Sequence, residues 1–83
     1  MGLAEAFNNN LLKFQLNSFG ALDKKFIKQT LLNNSEGILN LSSKIDDSKQ
    51  QKIKEYLCAN YEHYWFRLEK NPINPEIYFG KSN

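Results

Sequence analysis

Eighty-three residues, ten Lys and one Arg against nine acidic residues, make a single domain with a net charge of +2. That charge is too mild to imply nucleic acid or an anionic membrane as a partner, and a hydrophobic content of 41% is too high for a disordered chain. One cysteine, Cys58, excludes an internal disulfide and fits a reducing, cytoplasmic compartment, while no apolar run is long enough to span a bilayer.

Residue usage leans helical. Eleven Leu and eleven aromatic residues supply the apolar content, with no Val and one Thr. The opening MGLAEAFNNN has neither the basic nor the apolar region of a secretory signal. Gly2 is followed by Ala6 where a myristoylation pattern wants Ser or Thr, so no lipid anchor is expected.

The first predicted helix covers about residues 3–18. Leu3, Phe7, Leu11 and Phe14 recur at helical spacing, Asn8, Asn9 and Asn10 interrupt them, and Gly20 supplies a stop. The second covers about 21–32. Its apolar side is Leu22, Phe26, Ile27 and Leu31, its polar side Lys24, Lys25 and Lys28, and Asn33-Asn34 ends it. A short third helix is expected from the cap Ser35, with Ile38, Leu41 and Ile45 at spacings of three and four.

The fourth predicted helix is the longest, about 48–69. Asp47 with Gln50, or Ser48 with Gln51, has capping-box spacing. On a helical projection Ile53, Leu57, Cys58, Tyr61, Tyr64, Trp65 and Leu68 fall within roughly 140°, a broad buried stripe. Asn71-Pro72 stops it, because a residue before proline avoids the helical region. The tail, residues 71–83, has a second Asn-Pro step at Asn74-Pro75 and then Ile77, Tyr78 and Phe79, and it reads as extended. The expected fold is therefore all-α, a small bundle of three to four helices in one domain over residues 1–83, with a long C-terminal helix and an extended aromatic tail.

Catalytic and metal chemistry find little support. Cys58 and the lone His63 are five residues apart and do not share a helix face, and no second Cys or His completes a zinc site. A core-facing thiol is inert, and the four glycines at 2, 20, 37 and 80 build no phosphate loop. The expectation is a protein that is not an enzyme and takes no cofactor and no metal.

Two binding readings remain. The first is a small intracellular protein-interaction module, a regulator, inhibitor or adaptor acting by stoichiometric binding to another protein or to a second copy of itself. Its residues are Tyr56, His63, Phe66 and Arg67, on the side of the long helix away from the buried stripe, with Tyr78 and Phe79 of the tail. Aromatic residues and Arg are the types that interfaces concentrate. The alternative is a nucleic-acid-binding regulator using Lys24, Lys25 and Lys28 against phosphate, although the segment after them offers no Arg to read bases.

Overall fold

A computed structural model describes residues 11–16, 22–70 and 74–82, and it is not an all-α bundle. It contains a four-stranded mixed sheet and two helices. In chain order these are strand β1 (Lys13–Leu16), helix α1 (Lys24–Asn33), strand β2 (Glu36–Leu41), helix α2 (Asp47–Asn60), strand β3 (Tyr64–Lys70) and strand β4 (Pro75–Lys81). The strand order is β1-β2-β4-β3. β1 and β2 pair in parallel, as a crossover through a helix requires, and β4 runs antiparallel between β2 and β3.

Only α1 matches its expected position. Asp23 caps it, its Oδ1 accepting the Phe26 N–H at 3.0 Å, and Ile27, Thr30 and Leu31 form the buried face. The Asn34 side-chain amide donates to the Thr30 carbonyl at 2.9 Å and occupies one of the orphan carbonyls at its end.

The expected third helix is strand β2. Gly37, Leu39 and Leu41 are buried on the helix side, and Ile38 is buried on the other face at the centre of the sheet, between Lys13 and Tyr78; the run of three buried residues at 37–39 blurs the alternation that marks a half-exposed strand. Gly37 is needed for packing: a Cβ there would lie 2.8 Å from Cζ of Phe79 and 2.9 Å from Cε2 of Phe14.

The expected helix over 48–69 divides in two. Asp46 caps α2, accepting the Lys49 N–H at 2.8 Å, and Gln50, Ile53 and Leu57 face inward. The helix ends at Asn60. The Tyr61 N–H still donates to the Leu57 carbonyl (2.9 Å), the Tyr64 N–H closes a turn onto the Tyr61 carbonyl (3.0 Å), and the chain leaves as β3. Of the predicted stripe, Ile53 and Leu57 are buried, but Cys58 is exposed and Trp65 is 46% exposed.

Of the first expected helix, residues 13–16 are strand β1, and Leu3, Phe7, the Asn8–Asn10 run and Gly20 lie outside the described residues, as do Gly2 and the stop at Asn71-Pro72. The expected extended tail is β4 over residues 75–81, bonded to strands on both sides.

The period of two sorts each strand into two faces. One carries Phe14 and Leu16, Leu39 and Leu41, Ile77 and Phe79, Phe66 and Leu68, and both helices lie on it. Leu16, Ile27, Leu31, Leu39, Leu41, Ile45, Ile53, Leu57, Ile77 and Phe79 form one core there. The other face carries no helix among the described residues.

Candidate functional site

The helix-free face is built from cross-strand rows. Lys13, Ile38, Tyr78 and Arg67 stand in one row across β1, β2, β4 and β3, with Gln15, Asn40, Glu76 and Glu69 beside it and Glu36, Gly80 and Trp65 on the other side. The register brings together residues that are far apart in sequence.

At its centre Ile38 and Glu76 are buried. The Glu76 carboxylate accepts Lys13 Nζ at 3.0 Å, and the Tyr78 hydroxyl points at its other oxygen across 3.5 Å. A buried carboxylate needs such partners to stay charged at low cost. Gln15 and Asn40 bind each other: Asn40 Nδ2 donates to Gln15 Oε1, and Gln15 Nε2 donates to the Asn40 carbonyl, each at 3.1 Å.

Along β3 the face is open. The Trp65 ring lies over Gly80, where a Cβ would come within 2.5 Å of Cζ2. Arg67 stacks its guanidinium 5.1 Å from the Tyr78 ring centroid and pairs with Glu69 through Nε at 2.7 Å. The Arg67 side chain is still 62% exposed, so the stack holds the guanidinium in place without hiding it. In charge this face is near balance, Lys13 and Arg67 against Glu36, Glu69 and the buried Glu76.

The six residues expected to form one contact surface are split by the fold. Arg67 and Tyr78 meet on the helix-free face. Phe66 points the other way, its ring stacked on Tyr64 at 6.3 Å and packed against the core. Phe79 is 1% exposed and belongs to the core, not to any contact surface. Tyr56 lies half-buried on α2, and His63 sits exposed in the turn before β3, its carbonyl accepting the Ser82 N–H at 2.8 Å. The helical projection places Trp65 in a buried stripe, and the structure instead leaves it exposed on the helix-free face. The alternation in YWFRLEK, with Trp65 and Arg67 two apart, is the signal that places them together.

Lys24, Lys25 and Lys28 are exposed on α1, on the opposite side of the molecule. The Lys24 ammonium lies 5.4 Å from the centroid of the Tyr56 ring. Beside it, a shallow concavity of about 320 Å³ is lined by Lys28, Leu31, Leu32, Tyr56, Asn60, Tyr61 and Tyr64. The Tyr64 hydroxyl donates to the Leu31 carbonyl at 2.6 Å. Burial, with the neighbouring Tyr56 phenol, raises the Tyr61 hydroxyl above its ordinary range.

Among the described residues no group of three or more His, Cys, Asp and Glu could hold a metal ion, and no helix is long and apolar enough to cross a membrane. No family model, no curated protein and no solved structure matches the chain.

Proposed function

We propose that this chain is a small cytoplasmic protein-binding module that acts by stoichiometric association, with the β3 side of its helix-free sheet face as the contact surface. The observation that carries this reading is the exposed pair Trp65 and Arg67, side by side on one strand and backed by Tyr78 on the next. Trp, Tyr and Arg are the residue types that dominate binding energy at protein interfaces. Their rigidity supports the same reading: Trp65 rests on Gly80 and Arg67 is held by Tyr78 and Glu69, so little side-chain freedom is lost on binding.

Charge supports a protein partner over nucleic acid. Glu36 and Glu69 flank the aromatic pair, and a phosphate backbone laid across them would be repelled as much as Lys13 and Arg67 attract it. A polypeptide surface of mixed charge suits the balance better. The rival reading uses Lys24, Lys25 and Lys28 on α1, away from this face. The exposed single thiol of Cys58 is the observation behind the cytoplasmic compartment.

The test begins with affinity capture from the native host using the full chain and its Trp65→Ala variant, followed by titration of the identified, purified partner. Trp65→Ala is expected to weaken that binding by about 10- to 100-fold, while a variant with Lys24, Lys25 and Lys28 all changed to Glu binds as the parent does. The reverse pattern, together with oligonucleotide binding that falls steeply with salt, would move the function to α1 and nucleic acid.

A further inference from the structure

β3 is an outer strand of the sheet, and its free side has a definite phase. The Ser82 N–H bonds to the His63 carbonyl, and bonded residues alternate along an antiparallel pair, so residues 65, 67 and 69 exchange main-chain bonds with 80, 78 and 76. The main-chain groups of Phe66, Leu68 and Lys70 therefore point away from β4, and among the described residues no strand meets them. Tyr64 has the same phase, but its N–H is already committed to the Tyr61 carbonyl at 3.0 Å.

Charges on such an edge ordinarily repel a second edge. Here their order makes one arrangement self-complementary. If β3 pairs antiparallel with β3 of a second copy, outward-pointing residues must face outward-pointing residues. A register centred on Arg67 sets that Arg against its own equivalent, which is unfavourable at close cross-strand range. A register centred on Phe66 needs the committed Tyr64 N–H and carries Lys70 onto the 61–63 turn of the copy. A register centred on Leu68 sets Arg67 against Glu69 of the copy and Glu69 against Arg67, with Leu68 against Leu68 on the helix side. The reach is adequate, since Arg67 already pairs with Glu69 along its own strand at 2.7 Å.

We propose that β3 is a self-pairing edge: a second copy of this chain docks antiparallel about Leu68, doubling the sheet and placing two Trp65–Arg67 surfaces on one continuous face. A pairing confined to one strand edge buries less than the roughly 1,000 Å² of a stable interface, so the dimer is weak and depends on concentration. The inference rests on main-chain direction and charge order, and it stands or falls separately from the heterologous contact at Trp65.

Sedimentation of the full chain over a concentration series tests it, with circular dichroism confirming that each variant is folded. The parent is expected to pass from monomer to dimer as concentration rises. Glu69→Lys turns both cross-pairs repulsive and should weaken the dimer by about tenfold or more. The double variant R67E/E69K restores opposite charges in the same register and should recover it. Lys70→Pro deletes an outward N–H that β4 does not use and should also weaken it. A parent chain that stays monomeric at the highest concentration overturns the proposal, as does a double variant no tighter than Glu69→Lys. Dimerisation unchanged by Trp65→Ala separates this edge from the partner-binding face.

Discussion

The two faces of the sheet share the same four strands and differ in what they ask of each residue. On the helix side the requirement is volume: Leu39, Leu41, Ile77 and Phe79 are almost fully buried against α1 and α2. On the other side the requirement is pairing. Lys13 reaches Glu76, Arg67 stacks on Tyr78 and holds Glu69, and Gln15 and Asn40 bind each other. A face held by pairing keeps exposed groups in fixed positions, which is what recognition needs. The core lends stability that the paired face does not have to supply.

The strongest way to break that comparison is to delete side chains from each face. Ile77→Ala removes a fully buried side chain from the centre of the core and is expected to cost about 2–5 kcal/mol in chemical denaturation. Trp65→Ala removes a larger but half-exposed ring and should cost under about 1 kcal/mol. Equal losses would mean that Trp65 is a structural residue, and its role as a partner anchor would have to be withdrawn.

The helix-side pattern was partly legible in the sequence. α1 was, because Leu22, Phe26, Ile27 and Leu31 sit at helical spacing with charges opposite. So was the first part of α2, through Ile53 and Leu57. The failure came at residues 61–70, where Tyr61, Tyr64, Trp65 and Leu68 satisfy a helical period while Tyr64, Phe66 and Leu68 satisfy a strand period equally well. Aromatic content over 64–66 favours the strand, but what decides is β4, a non-local neighbour that supplies hydrogen bonds along the whole length of β3. β2 is hard to read for another reason: Ile38, central in the sheet, is buried even on the helix-free face, which blurs the alternation, and Ile38, Leu41 and Ile45 then mimic a helix. Arg67 and Tyr78 were legible as interface residue types. Their meeting was not, because a cross-strand register is absent from local spacing.

Two glycines sharpen the comparison with the same substitution. Gly37→Ala pushes a methyl into Phe79 and Phe14, and Phe79 is locked in the core, so the cost is expected at about 1–3 kcal/mol. Gly80→Ala meets the Trp65 ring first, at 2.5 to 2.6 Å, and would push that ring off the strand toward its solvent-exposed side. The stability loss should be smaller than at Gly37, and tryptophan fluorescence should shift as the ring moves into water. A Gly80→Ala variant with unchanged fluorescence would show that the ring does not rest on that strand.

The smallest effect lies where the helix layer meets solvent, at Tyr61. Burial and the Tyr56 phenol favour its neutral form in the folded chain, so its folded pKa stands above the ordinary value of 10.0. For a phenol raised in this way, the unfolded chain releases its proton first as pH climbs. The contribution to stability is complete below pH 10.0 and is lost as pH rises from there through the folded value. Denaturation midpoints measured on both sides of that window should therefore fall on the alkaline side, and Tyr61→Phe, which has no proton to release, should flatten part of the fall. Tyr61 would then present a neutral phenol to the concavity it lines, a group that can donate a hydrogen bond and carries no charge. An alkaline slope identical in the parent and in Tyr61→Phe would place the titrating group elsewhere.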